Sequence, residues 1–161
     1  MFRLVALPDE IPGRLYLHAM PGFFESWSTF ERYAQIAALD LIVCLTRPEE
    51  VEISSPAYAE AIRTKQLPCF RINYAITDFS KPTNSTKYSK LVRAVAEKIR
   101  EGNNVLVHCH AGIGRTGLFA SCILHQLGLG LSYLEIYKFI DDAGSNPASR
   151  DEISYYCNTA S

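Results

Sequence analysis

The sequence predicts an α/β fold built as a single domain. Short apolar runs of strand length alternate with longer segments whose apolar residues recur every three to four positions. The connections between them are short. A chain of 161 residues, 48% hydrophobic, suffices for one core and is too small for two ordinary domains. Alternation of this kind yields a central sheet with helices on both faces.

Each element has its own signal. Residues 15–17 form a short strand after the Pro12-Gly13 turn. Phe23, Phe24, Trp27 and Phe30, continued by Tyr33, Ala34 and Ala37, predict a helix over 24–38 with an aromatic face in the core. Residues 41–45 are a buried strand. Ser55-Pro56 places a cap and a first-turn proline at the start of a helix running to about Gln66. Residues 69–73 are the next strand. Tyr88, Leu91, Val92, Val95 and Ile99 share one helical face, with Asn84 or Ser85 to cap it and Gly102 to end it. Val105-Leu106-Val107 is a buried strand, followed by an apolar helix over 118–127 that starts near Arg115. Ser132 and Glu135 make a capping box for a helix to about Asp141, and Asn146-Pro147 opens the last helix.

Composition narrows the function classes. Net charge is −1 and lysines and arginines form no run, so neither a nucleic-acid nor a membrane partner is expected. Five cysteines at irregular spacing do not read as a disulfide framework or a zinc site. Residues 1–10 carry charges and a proline in place of an apolar signal core. These features predict a cytoplasmic protein with reduced thiols.

The densest information lies in His108-Cys109-His110-Ala111-Gly112-Ile113-Gly114-Arg115-Thr116-Gly117, at the turn from strand to helix. Gly112 and Gly114 let the backbone curl so that successive N–H groups form an anion-binding nest. The helix N-terminus adds its positive end, and Arg115 offers a planar, permanently charged fork matched to phosphate oxygens. The same field favours a thiolate at Cys109, the reactive form of a cysteine nucleophile. Thr116 is placed to donate a hydroxyl hydrogen bond to the sulfur. His108 is expected to fix the loop through its ring nitrogens, since a thiolate needs no base. A lone cysteine after an apolar strand is ordinarily a small buried hydrophobe, but that reading does not account for the glycines, arginine and threonine around it.

The segment HCHAGIGRTG resembles the active-site loop of the protein-tyrosine-phosphatase superfamily, matching HCxxGxxRTG throughout. The chain's small size resembles the dual-specificity branch. IPGRLYLHAMPG, LIVCLTRPEE and NYAITDFSKP are similar, more weakly, to other parts of that family. The resemblance implies one phosphatase catalytic domain over 1–161, with a four- or five-stranded mixed sheet flanked by about six helices. It implies a phosphocysteine intermediate and no metal or other cofactor, because the loop and Arg115 handle the phosphate charge. Residues 110–115 (His110, Ala111, Gly112, Ile113, Gly114 and Arg115) would bind substrate. Leaving-group protonation requires a carboxylic acid on a mobile loop, and Asp78, about thirty residues before Cys109, occupies the position where small members carry it.

Many relatives also place a glutamine near the start of the last helix to position water. This chain has none there, and Asn146, Ser149 and Arg150 are weak substitutes. His18 and His125 are read as structural. Cys44 and Cys122 are the candidates to trap an oxidised Cys109. The implied substrate is a phosphorylated protein, with phosphotyrosine first and phosphoserine or phosphothreonine as further candidates. A phosphoinositide, an inositol phosphate or an RNA 5′-triphosphate is the alternative within the same chemistry, and a non-catalytic phosphate-binding module is the alternative outside it. The loops around 18–25, 47–56 and 146–150 are expected to set cleft depth.

Overall fold

The structure, a computed structural model, describes residues 1–157. Five strands form one sheet in the order β1 (Arg3–Leu4), β2 (Arg14–His18), β5 (Asn104–His108), β3 (Leu41–Cys44), β4 (Phe70–Asn73). Only β1 runs antiparallel, so the sheet is mixed, as expected. Central β5 pairs with both β2 and β3, and His108 lies level with His18 on one side and Cys44 on the other. Side chains alternate across it: Val105 and Val107 enter one core, Leu106 the other.

Among the described residues, seven helices cover the sheet: α1 (Trp27–Ile36), α2 (Pro48–Ser54), α3 (Pro56–Arg63), α4 (Ser85–Arg100), α5 (Gly114–Gln126), α6 (Tyr133–Asp142) and α7 (Arg150–Cys157). The larger core packs α4, α5, α6 and α7 on one face through Tyr88, Val92, Phe119, Ile123, Ile140 and Ile153. On the other face α1 contributes Phe30 and Ala34, while α2 and α3 contribute Val51 and Tyr58. Asn84 caps α4 by accepting from the Lys87 amide, and the Ser132–Glu135 capping box opens α6. Gly102, at φ +98°, follows the end of α4 in the left-handed conformation expected of it. No helix among the described residues is long and apolar enough to cross a membrane.

Several expectations are corrected. α1 begins at Trp27, because the Ser26 side chain accepts from the Thr29 amide. Phe23 and Phe24 therefore precede the helix and stay exposed, outside the aromatic core. Residues 48–54, read as loop, form α2, with Pro48 at its start and Glu49 and Glu50 in its first turn. Ser55 makes no side-chain cap for α3, its hydroxyl donating to the Pro21 carbonyl. The last helix starts at Arg150, where the amides and side chains of Ser149 and Glu152 exchange hydrogen bonds, so Asn146-Pro147 is a turn before it. The two-residue β1 carried no sequence signal. Cys122 and Cys157 are joined by a disulfide between α5 and α7, with Cα atoms 5.8 Å apart, contrary to the reduced-thiol expectation.

Candidate active site

The carboxyl end of β5 delivers His108 and Cys109 to the start of α5, and the loop between them is held from outside by its carbonyls. The Cys109 carbonyl accepts from His108 Nδ1 at 3.0 Å, and that of His110 from the Met20 amide at 2.9 Å. The Gly112 carbonyl accepts from Ser145 Oγ at 2.7 Å. The Ile113 carbonyl accepts from the amides of Gly117 and Asn146. In a trans peptide the C=O and the following N–H point in opposite directions. Each anchored carbonyl thus turns the next amide (His110, Ala111, Ile113, Gly114) away from the anchor and inward to the loop. Two glycines, Gly112 and Gly117, make this geometry possible, whereas Gly114, expected to let the loop curl, is not left-handed and a Cβ there would meet nothing within 4 Å. A Cβ on Gly112 would lie 2.3 Å from the His18 carbonyl oxygen, and one on Gly117 would lie 1.9 Å from that of Asn146.

Cys109 is 3% exposed at the base of this cradle, and Thr116 Oγ1 donates to its sulfur at 3.1 Å. His108, donating from Nδ1 to a carbonyl, accepts at Nε2 from the Tyr58 hydroxyl at 3.0 Å, which itself accepts from Arg71 Nε at 3.0 Å. A buried chain thus runs from β4 through α3 to the loop. Cys44 sits beside it, with Sγ 3.2 Å from Thr46 Oγ1. Cys122, weighed with Cys44 as a trap for oxidised Cys109, is committed to Cys157.

Arg115 is nearly enclosed. Glu50 grips it with both oxygens, at 2.9 Å to Nη1 and 3.0 Å to Nη2. The Ile76 carbonyl accepts from Nη1 at 2.8 Å, and Asp78 Oδ1 lies 3.1 Å from Nη2. Burial opposes the Arg115 charge, but Glu50, with Cys109 and Asp78, outweighs it and holds the guanidinium above its ordinary range. Nε is buried without a hydrogen-bond partner. A buried donor of this kind calls for an acceptor.

Cys109, Arg115, Ile76 and Asp78 line a cleft of about 470 Å³. Its lining is completed by residues of the loop, by Phe79, Lys81 and Pro82, and by Asn146-Pro147-Ala148 with Glu152. The depth of the cleft therefore comes from residues 78–82 as well as from the expected 146–148. Residues 18–25 and 47–56 stand behind it, where Phe23 packs on the His110 ring and Ser54 Oγ lies 3.1 Å from His110 Nε2. Of the three substitutes for the missing glutamine, Asn146 alone lines the cleft. Ser149 caps α7, and Arg150 lies over the Tyr133 ring. His18 pairs with Glu25, and His125 stacks on Tyr133, both outside the cleft.

Glu50 was missed by sequence reasoning. Pro48-Glu49-Glu50 does signal a helix start, and Glu50 accepts from the Arg47 amide as a third-position carboxylate would. Nothing in that pattern points to Arg115. The pairing carries a prediction. Glu50→Ala leaves a guanidinium that is 3% exposed with the Ile76 carbonyl and Asp78 as its remaining partners, and removing one partner of a buried pair costs roughly 3 kcal/mol. Burial alone would raise the Glu50 pKa, but the hydrogen bonds from the Arg115 side chain and the Arg47 amide, with the charges of both arginines, together outweigh it and hold the carboxyl below its ordinary range. A lowered carboxyl contributes stability that is complete above its unfolded value and lost as pH falls through its folded value. Thermal unfolding of wild type and Glu50→Gln should therefore differ most near neutrality and converge under acid. A difference independent of pH would show that the Glu50 charge contributes nothing.

The family model described as PTP-SAK, a Swiss Army Knife protein DSP-PTPase phosphatase domain, matches residues 16–155. No curated protein sequence matches the chain. Among solved structures, kinase associated phosphatase with its catalytic-site cysteine substituted by serine is similar at a TM-score of 0.74 and 13% identity, over 97% of this chain and 91% of that one. The human tyrosine phosphatase-like serine/threonine/tyrosine-interacting protein is similar at 0.67 and 19%, over 92% and 93%. PTPMT1 in complex with PI(5)P is similar at 0.62 and 14%, over 93% and 90%. At these identities the structural likeness is one of fold.

Proposed function

The chain belongs to the DSP-PTPase phosphatase domain family, and on that premise we propose that it hydrolyses phosphotyrosine monoesters in proteins, and phosphoserine and phosphothreonine more slowly. The observation that carries the reading is a single constellation: the Cys109 sulfur lies at the base of an inward-facing amide loop, bonded by Thr116, with Arg115 and Asp78 at the same cleft. In the first step the sulfur attacks phosphorus in line, the sulfur–phosphorus bond forms as the ester bond breaks, and Asp78 gives its proton to the leaving oxygen. Water then attacks phosphorus and passes a proton to Asp78. The sulfur–phosphorus bond breaks, inorganic phosphate leaves, and Thr116 stabilises the departing thiolate. Arg115 Nε and the loop amides hold the charge on the equatorial oxygens in both steps. Asn146, which lines the same cleft, is the residue assigned to orienting the water.

The charge of the cleft supports a single phosphate. Its strongly charged side chains are two cations, Arg115 and Lys81, and two carboxylates, Asp78 and Glu152. Lys81 is paired with Glu152 at 2.5 Å, and Arg115 is gripped by Glu50 and Asp78. Among the described residues, both cations that line the cleft thus already have carboxylate partners. Phe79, Pro82, Ile113 and Pro147 supply apolar flanks suited to an aryl ring.

The test is a rate panel without added metal: phosphotyrosyl, phosphoseryl and phosphothreonyl peptides, inositol phosphates, a phosphoinositide and a 5′-triphosphorylated RNA. Phosphotyrosyl peptides are expected to be fastest. Faster turnover of an inositol phosphate, a phosphoinositide or the RNA end would move the substrate class. Phosphate binding without turnover of any of them would make this a phosphate-binding module.

A further inference from the structure

We propose that Arg3 is a positioning residue of the phosphate-binding loop, acting on the Ile113 amide through the Gly112 carbonyl. The inference rests on the reading of that loop as an oxyanion site. β1 is only two residues long, but its register against β2, Arg3 level with Leu17, places Arg3 behind the loop. Arg3 Nη2 donates to the Gly112 carbonyl at 2.6 Å. Its Nη1 donates to the turn after α6, reaching the carbonyls of Gly144 at 2.5 Å and Ala143 at 3.0 Å, and Ser145 Oγ at 3.2 Å. Ser145 Oγ donates in turn to the same Gly112 oxygen.

One carbonyl thus receives two donors, one carrying a full charge. Gly112, at φ +74°, is already pressed against the His18 carbonyl on its other side. Its peptide plane is therefore set from both sides. Because the peptide is planar, holding the carbonyl outward aims the Ile113 N–H inward. Gly144, also left-handed at φ +76°, leaves room for the guanidinium, since a Cβ there would lie 3.1 Å from Nη1. The planar fork reaches the Gly112 carbonyl and the 143–145 turn together, which one ammonium does not reproduce. Arg3 also lies close enough to Cys109 for their charges to interact. Preorganised donors do most for an oxyanion when they need no reorientation, and Arg3 removes that freedom at one amide.

The experiment compares wild type, Arg3→Met, Arg3→Lys and Ser145→Ala, with inorganic phosphate as the probe and the Ile113 amide resonance as the local reporter. Arg3→Met is expected to weaken phosphate binding on the order of tenfold, the scale of one charge-assisted hydrogen bond. It should also remove the phosphate-induced shift of the Ile113 amide. Arg3→Lys restores part of both, and Ser145→Ala gives a smaller loss in the same two quantities. If Arg3 only docks β1, Arg3→Met lowers the melting temperature while phosphate affinity and the Ile113 shift, read well below it, stay at wild-type values. That outcome overturns the proposal. Should Arg3→Met fail to fold, Ser145→Ala decides, because unchanged phosphate affinity there leaves the Gly112 carbonyl without a role. Phosphate binding is read without turnover, so a wild-type protein that binds phosphate and hydrolyses nothing sinks the proposed activity and leaves this inference standing.

Discussion

Cys109→Ser is expected to reduce turnover by roughly 10⁴-fold or more, the scale on which loss of a covalent nucleophile acts, while the protein still folds and binds phosphate. The side chain is 3% exposed and the substitution changes one atom, so packing is preserved. The loop amides are oriented by carbonyl anchors that do not involve the sulfur, and Arg115 is held by Glu50. Nothing that binds the phosphate is removed. A serine hydroxyl is far less acidic than a thiol and stays protonated, and among the described residues no base is positioned to take its proton. His108 is committed at both ring nitrogens, to the Cys109 carbonyl and the Tyr58 hydroxyl. Calorimetry with phosphate beside a turnover assay checks the split. Residual turnover near the wild-type rate would remove Cys109 from the chemistry.

The nucleophile loop was legible because its chemistry is contiguous: a strand, two glycines, an arginine and a helix start fall within ten residues. What holds that loop was not. Glu50 stands 65 residues from Arg115, and Arg3 stands 109 from Gly112. Both contacts exist only because the sheet places β3 and β2 against β5, and no local pattern encodes them. The misplaced helix starts have a different cause. Apolar periodicity carried the first helix back to Phe24, but the Ser26 cap ended it at Trp27. The Asn146-Pro147 signal lost to the Ser149–Glu152 exchange, with the Asn146 amide bonded to the Ile113 carbonyl. Counting cysteines fails for a related reason, since one bridge spanning 35 residues leaves three free thiols and no spacing rule.

Asp78→Asn is expected to lower turnover of phosphotyrosyl peptides by about 10²- to 10⁴-fold, the range of a lost general acid, and of p-nitrophenyl phosphate far less. The nitrophenolate oxygen leaves as a stable anion and needs little help, whereas a tyrosyl or seryl oxygen needs the proton. The alkaline limb of the rate–pH profile should flatten with it, since that limb follows loss of the acid's proton. The structure adds a second expectation of opposite sign. Asp78 Oδ1 sits 3.1 Å from Arg115 Nη2, one of the two nitrogens that would flank a phosphate beside the unpartnered Nε. On the proposed reading, the carboxylate competes with the substrate for the arginine. Binding must move Asp78 off Nη2 and toward the leaving oxygen, and its place on a half-exposed loop leaves room for that movement. Asparagine removes the competing charge, so Asp78→Asn should bind inorganic phosphate several-fold more tightly even as catalysis falls. Isothermal titration and the two-substrate comparison separate these effects. Equal losses on both substrates, an unchanged alkaline limb and unchanged phosphate affinity would assign Asp78 a positioning role and send the search for the acid to Glu152, the other carboxylate of the cleft.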